Sequence, residues 1–103
     1  MSEVHIKDGK VFLRRTPEER KPLVQRLNRL EGQLRGVRLM IEEDRHCGDE
    51  LQQIKAVIAA LREVGMAIVD EHVNRAAEYM ANSSEQDVAI DDIMRVLREA
   101  MRL

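Results

Sequence analysis

The chain has 103 residues, the size of one ordinary domain, and 44% of them are hydrophobic although it contains one Phe, one Tyr and no Trp. Charged residues make up 35%, and this mixture, rich in Ala, Leu, Glu, Arg and Gln, is typical of long helices and helix bundles. The sequence contains neither an apolar run of roughly 20 residues nor a signal-peptide pattern, and its single cysteine excludes an intrachain disulfide framework. We therefore expect a cytoplasmic protein with no membrane partner.

Positive charge is concentrated in one part of the chain, although the net charge is −2. Residues 14–38 contain eight Lys or Arg against three Glu, whereas residues 76–103 contain six acids against three Arg. A basic block in a nearly neutral protein indicates either a nucleic-acid footprint or a solvated helix face. Charge by itself leaves both interpretations open.

The N-terminal segment, residues 1–15, shows no clean period and predicts a flexible arm before a single helical domain at 16–103. Thr16-Pro17-Glu18-Glu19 has the form of a capping box with Pro at the first helical position. Pro22 predicts either a kinked first turn or a regular helix that begins nearer Lys21. Three helices are predicted, at about 17–44, 49–81 and 85–101.

Each predicted helix carries an apolar face. The first has a coiled-coil-like seam with alternating spacings of 4 and 3, formed by Leu23, Leu27, Leu30, Leu34, Val37 and Ile41. The second has a stripe formed by Leu51, Ile54, Ile58, Leu61, Gly65, Ile68 and His72, and the third has one formed by Ile90, Ile93, Leu97 and Met101. Helices of such unequal length cannot cover one another within one chain, so we predict an obligate, symmetric oligomer.

Cys47 and His72 are the candidate sensing residues. His72 follows Cys47 by 25 positions, a near-whole number of helical turns, so both side chains point to one side of the second helix, about 37 Å apart. One chain cannot bring both to one ligand, but two copies packed antiparallel about Ala59 and Ala60 can. Helix N-termini favour the thiolate that binds metals or attacks electrophiles, whereas the alternative is an inert thiol and a polar helix end. His46 is either an added ligand or an exposed neighbour.

Several segments of the sequence form a recognisable pattern: Arg26-Leu27-Asn28-Arg29-Leu30-Glu31-Gly32-Gln33, followed by Gly36, Cys47, Gln53-Ile54-Lys55-Ala56-Val57 and His72. In this pattern the chain resembles the CsoR/RcnR/FrmR family of bacterial repressors. The resemblance extends from about Thr16 to the C-terminus, about 85% of the chain. It implies an all-α fold in which three-helix protomers form an antiparallel four-helix-bundle dimer and two dimers form a tetramer. It also implies a repressor of double-stranded operator DNA that is released when an inducer binds between Cys47 and His72 of two subunits. No catalytic triad or phosphate loop suggests an enzyme.

The third sensing position of the family, four residues after the histidine, is Ala76 in this chain. Copper and persulfide sensors have Cys there, and nickel and cobalt sensors have His, so the usual trigonal copper site is incomplete. The resemblance leaves open one transition-metal ion per protomer, Cu(I), Ni(II) or Zn(II), completed by His46 or His5, or no metal at all. In the alternative, a formaldehyde-responsive repressor, Cys47 is the nucleophile and the N-terminal amine is its partner; Arg14 lies at the matching position.

The basic block is predicted to contact duplex DNA. On a helical wheel Arg26, Arg29 and Gln33 flank one side of the seam, where they can contact phosphates while the seam stays buried. No aromatic platform for single-stranded nucleic acid is present, and Glu63 stands where the family has a basic residue. A helical interaction scaffold without a sensing role is the other class considered, and operator binding distinguishes the two. The predicted DNA contacts are Lys21, Arg26, Arg29, Gln33, Arg35, Lys55 and Arg62.

Overall fold

The structure, a computed structural model, describes residues 3–103. In chain order it has a β-hairpin, β1 (Glu3–Lys7) and β2 (Lys10–Arg14), and then three helices, α1 (Pro17–Glu42), α2 (Cys47–Ala81) and α3 (Gln86–Ala100). The mostly helical fold with three helices is confirmed, and the helix ends differ from those predicted by at most two residues. None of the described helices combines the length and the apolar composition needed to cross a membrane. The chain forms two compact units, residues 3–20 with 65–103 and residues 21–64.

The N-terminal arm, expected to be flexible over residues 1–15, is an antiparallel hairpin where the structure describes it. Its turn is Asp8-Gly9, both with positive φ (53° and 73°), which is the conformation of a two-residue type I′ connection. An Asp-Gly pair between alternating apolar residues is a strong hairpin signal, and the expectation of a flexible arm overlooked it. The apolar residues of the two strands pair across the hairpin as Val4 with Leu13 and Ile6 with Val11.

Helix α1 begins at the predicted capping box. The backbone N–H of Thr16 donates to Glu19 Oε1 at 3.0 Å, and the backbone N–H of Glu19 donates to Thr16 Oγ1 at 3.2 Å. These reciprocal bonds satisfy two donors at the helix start, with Pro17 at the first helical position. The helix continues through Pro22. The alternative start nearer Lys21 is therefore wrong.

The end of α1 is closed by a Schellman motif that leads into α2. Asp44 has a positive φ of 53° and its N–H donates to the carbonyl of Ile41 at 3.1 Å. The N–H of Arg45 donates to the carbonyl of Met40 at 2.9 Å. This pair of bonds usually has Gly at the left-handed position, so Asp44 holds a conformation that glycine adopts more readily. Two residues later Cys47 begins α2.

The unit formed by residues 21–64 buries one edge of the predicted seam and exposes the other. Leu30 and Val37, which are seven residues apart, are buried, as is Val64 of α2. The opposite edge remains on the surface, with Leu34 55% exposed and Leu61 52% exposed. An apolar groove of about 220 Å³ runs along this edge, lined by Leu27, Leu30, Glu31, Leu34, Val57 and Leu61. A single protomer thus leaves much of its apolar surface uncovered.

The unit formed by residues 3–20 and 65–103 has its core where the hairpin meets the helices. Val11, Ala76 and Ala89 form a buried cluster, and Val4, Ile6, Leu13, Met80 and Ile93 pack against it. The buried residues of α3 are Ala89 and Asp92. The apolar face predicted for α3 is largely exposed, because β2 packs on α3 at the small side chain of Ala89. Its exposed members are Ile90, Leu97 and Met101.

Candidate metal centre and nucleic-acid interface

Cys47 is the first residue of α2, and its thiol is free and exposed. The preceding His46 is folded over the helix start, where its Nδ1 accepts the backbone N–H of Gly48 at 3.0 Å. A Cβ built on Gly48 would lie 2.8 Å from Cε1 of the ring, so the absence of a side chain at Gly48 permits this arrangement. Because Nδ1 of His46 accepts this bond, the neutral ring carries its proton on Nε2, and His46 could bind a metal only after giving up its contact with Gly48.

His72 is held by a buried carboxylate. Its Nε2 lies 2.6 Å from Asp92 Oδ2, and the two side chains are 13% and 5% exposed. An ionised carboxylate only accepts hydrogen bonds, so Nε2 of His72 donates and Nδ1 is the nitrogen left for a ligand. An imidazole fixed in this way by a carboxylate is the usual arrangement of a metal-binding histidine. Asp92 is not among the predicted site residues, because it lies on another helix and no local pattern in the sequence marks its contact with His72.

Two ion pairs join α2 around His72 to Arg15, which precedes α1, and to Glu19 in the first turn of α1. Nε of Arg15 lies 2.6 Å from Oε1 of Glu71, with both side chains mostly shielded from solvent. Nη2 of Arg75 lies 3.6 Å from Oε2 of Glu19. Glu19 is predicted as part of the capping box and Arg15 as part of the basic block, but neither ion pair is predicted, because the partners are far apart in the chain.

Ala76 is fully buried in the cluster with Val11 and Ala89. Its methyl group supplies no ligand atom, and the hairpin covers the position. His5 lies on the other side of the hairpin, where its ring stacks on Phe12 with centroids 5.3 Å apart and planes 12° apart. The strand residues on either side of it, Val4 and Ile6, pack toward the core instead. The structure therefore does not bring His5 to His72 of the same chain.

The partner predicted for the thiol in the formaldehyde alternative, the amine of Met1, lies outside the described residues. Arg14, at the matching position, is exposed and lies 4.0 Å from Glu3. Within residues 3–103 of one chain, no three His, Cys, Asp or Glu side chains are grouped so that they could hold a metal ion. The two predicted sensing residues, Cys47 and His72, would each supply one donor, so the predicted site needs donors beyond those of one chain.

The predicted DNA-contacting residues lie mainly on α1. Arg26, Arg29 and Gln33 line a polar cavity of about 310 Å³ in the unit formed by residues 21–64. Glu63, the acid that stands where the family has a basic residue, also lines this cavity and lies beside the arginines. The remaining predicted contacts are all exposed: Lys21, Arg35, Lys55 and Arg62.

Two solved structures that are similar to this one are regulators of transcription. The structure is similar to that of "The nickel-responsive transcriptional regulator InrS", with a TM-score of 0.76 and 32% identity over 84% of this chain and 97% of the other. It is equally similar to the copper-sensing repressor CsoR with Cu(I) from Geobacillus thermodenitrificans, with a TM-score of 0.76 and 39% identity over 85% and 92% of the two chains. The class defined by the fold is therefore that of helical transcriptional regulators.

Sequence comparison gives the family. The model of a family described as "Metal-sensitive transcriptional repressor" matches residues 19–99. The chain is 32% identical over 92 residues to the copper-sensing transcriptional repressor CsoR of Bacillus subtilis, covering 89% of this chain and 91% of the relative. It is 54% identical over 50 residues to the copper-sensing transcriptional repressor RicR of Mycobacterium tuberculosis, covering 48% and 52%. The chain belongs to the family of metal-sensitive transcriptional repressors.

These comparisons confirm the family resemblance and the repressor class predicted from the sequence. They also agree with the expectation that the chain is not an enzyme, since the relatives are repressors. The site residues, the oligomer and the identity of the inducer remain predictions.

Proposed function

We propose that this protein is an operator-binding repressor that binds a soft metal ion, Cu(I), between Cys47 of one subunit and His72 of another, and then releases its DNA. The observation that carries the proposal is the buried contact between His72 and Asp92, which orients an imidazole with Nδ1 available. The names of relatives support it, since two are copper-sensing repressors. Such a repressor acts where operator DNA is found, which in bacteria is the cytoplasm.

The shared site requires an antiparallel pair of subunits. In one protomer the apolar stripe of α2 is exposed, including Ile58, Leu61 and Ile68. Two such stripes can cover each other, and a two-fold axis near Ala59 and Ala60 lets the helix backbones approach closely. The same axis brings the first residue of one α2 beside His72 of the other. We propose that the homodimer built in this way assembles further into a homotetramer.

The donor set fits a soft ion with few ligands. A thiolate and an imidazole suit Cu(I), whereas Zn(II) sites almost always have four ligands. Ala76 supplies no third donor, and His46, next to Cys47 in sequence, is the candidate for that position once its ring gives up the contact with the N–H of Gly48. A bound ion would supply a bond between two subunits, and the hydrogen bond to Asp92 supports this role because it engages Nε2 of His72 and leaves Nδ1 for the ion.

DNA binding is assigned to the basic face of α1. Arg26 and Arg29 offer guanidinium groups for phosphate contacts, and Gln33 lies beside them in the same cavity. Each phosphate contact that is lost should reduce the slope of log affinity against log salt by about 0.9. We expect Arg26→Ala with Arg29→Ala to flatten this slope, and Arg98→Ala, an exposed arginine on α3, to leave it unchanged.

The test is fluorescence anisotropy of the purified protein on the DNA upstream of its own gene. Cu(I), Ni(II), Zn(II) and formaldehyde are added separately. Release by Cu(I) alone is expected. Release by Ni(II) or Zn(II) alone would reject the assignment of Cu(I), and release by formaldehyde alone would make Cys47 a nucleophile. No binding to the upstream DNA would favour an interaction scaffold.

Cys47→Ala tests the site itself, with His5→Ala as the matched control. We expect the Cys47→Ala protein to bind DNA with native affinity and to stay bound when Cu(I) is added. The His5→Ala protein should respond to Cu(I) as the native protein does, because His5 lies on the outer face of the hairpin. Normal release of the Cys47→Ala protein would contradict the assignment of Cys47.

A further inference from the structure

We infer that the N-terminal hairpin positions His72 for its ligand, and that Val11 and Arg15 are the positioning residues. The inference rests on the proposed function for the ligand that His72 binds. It concerns a part of the chain that the family match does not include, because β1 and β2 precede residue 19, where the match begins.

The apolar contact of the hairpin reaches both helices that carry the His72–Asp92 pair. Val11 of β2 is buried with Ala76 of α2 and Ala89 of α3. Residues three or four positions apart lie on one helix face, so each alanine is one turn from a member of the pair and on its face. Alanine methyl groups are short, and the Val11 side chain supplies the apolar contact between the two helices. It therefore helps to set their separation.

The polar contact lies on the other side of His72 along α2. Arg15 directly follows β2, and its Nε lies 2.6 Å from Oε1 of Glu71, the residue before His72. The two side chains are 29% and 19% exposed, so solvent screens this pair less than a surface pair. The hairpin region thus holds α2 at Glu71 through an ion pair and at Ala76 through Val11. His72 lies between these two contacts.

This arrangement matters because the two atoms of the His72–Asp92 hydrogen bond lie on different helices. Hydrogen bonds weaken when the two atoms move beyond about 3.2 Å, so a small shift of α2 relative to α3 is enough to weaken this 2.6 Å contact. If either hairpin contact is loosened, the ring loses its fixed orientation and Nδ1 is no longer presented in one direction. Loss of the group that is hydrogen-bonded to a metal-binding imidazole commonly lowers metal affinity by about 10–100-fold, and loosening that bond through the hairpin contacts should have an effect at the lower end of this range.

Charge reversal at Arg15 tests the inference. Arg15→Glu places two carboxylates together, and the double variant Arg15→Glu/Glu71→Arg restores an ion pair with opposite polarity. Arg14→Glu is the matched control, because the neighbouring Arg14 is 75% exposed and pairs at 4.0 Å with an exposed Glu3. Circular dichroism establishes that each variant is folded. Arg15→Gln, which removes the charge without repulsion, replaces Arg15→Glu if that variant does not fold.

Two measurements are made on each protein. The ¹⁵N NMR shifts of the His72 ring, assigned with His72→Gln, report the hydrogen bond in the metal-free protein. Competition with a chromogenic chelator gives the Cu(I) affinity. For Arg15→Glu we expect shifted ring resonances and an affinity lower by about ten-fold or more. The double variant should recover both, Arg14→Glu should match the native protein, and Val11→Ala should reproduce the Arg15→Glu result.

A folded Arg15→Glu protein with native ring shifts and native Cu(I) affinity would overturn the inference. Failure of the double variant to recover either quantity would overturn the specific role of the Arg15–Glu71 pair. If the native protein binds no Cu(I), the proposed metal site is wrong. The NMR shifts of the metal-free variants then still decide whether the hairpin positions His72.

Discussion

Removal of the carboxylate at Asp92 should weaken both the fold and metal binding. Asp92 is 3% exposed and accepts the hydrogen bond from Nε2 of His72, so water cannot readily replace it. A buried N–H left without an acceptor costs about 1–3 kcal/mol, whereas the better helix propensity of alanine returns at most about 0.7 kcal/mol. We therefore expect Asp92→Ala to lose about 0.3–2.3 kcal/mol of unfolding free energy. Since about 1 kcal/mol corresponds to roughly 4–8 °C for a domain of this size, the loss is measurable by thermal denaturation.

The same change should reduce Cu(I) affinity by about 10–100-fold, because the ring is no longer oriented. Chelator competition measures this quantity, with all proteins at one concentration because an oligomer's stability depends on it. Asp91→Ala is the matched control, since Asp91 is the adjacent, exposed aspartate, and it should change neither quantity. Asp92→Asn keeps a carbonyl acceptor, so its melting temperature and its Cu(I) affinity should lie between those of the native protein and those of Asp92→Ala. An Asp92→Ala protein with native melting temperature and native Cu(I) affinity would refute the reasoning.

Three further changes test local features of the fold by urea denaturation. Thr16→Ala removes the acceptor for the N–H of Glu19 and should cost about 1 kcal/mol; no loss would mean that the capping box contributes nothing. Asp44→Gly should stabilise the protein by up to about 1 kcal/mol, because glycine adopts positive φ freely, and destabilisation would contradict this. Gly65→Ala should be tolerated within about 1 kcal/mol, since the nearest atoms to the new Cβ belong to the exposed side chain of Leu103 and alanine favours the helix. A loss well above that would show that Gly65 is packed against a partner.

The helices were predictable because their signals are local. The spacing of the α1 seam and the reciprocal Thr16–Glu19 cap depend on residues within one or two turns of one another. The hairpin also has a local signal, the Asp8-Gly9 turn between alternating residues, and it was missed because each strand has only five residues. An Asp-Gly pair between alternating apolar residues is enough to predict a hairpin.

The surroundings of His72 were not predictable in the same way. Its partner Asp92 is on another helix, and the Arg15–Glu71 pair joins residues 56 positions apart. No periodicity in a single sequence reports such contacts, because they depend on how the elements pack. The buried face of α3 was misjudged for the same reason: Ala89 is buried because the hairpin packs there, although Ile90 is the more hydrophobic residue.

The two compact units differ in how they are distributed along the chain, and this has a consequence for the order of folding. Residues 21–64 are contiguous, so this helical pair can form while the rest of the protein is still being synthesised. The other unit joins residues 3–20 to 65–103. The core contact of Val11 with Ala89 cannot form until α3, near the opposite end of the chain, has been synthesised. Closing such a long loop is slow compared with forming local contacts. The unit that contains His72 should therefore be the last to fold on the ribosome. A protein truncated before α3 should be unable to fold this unit.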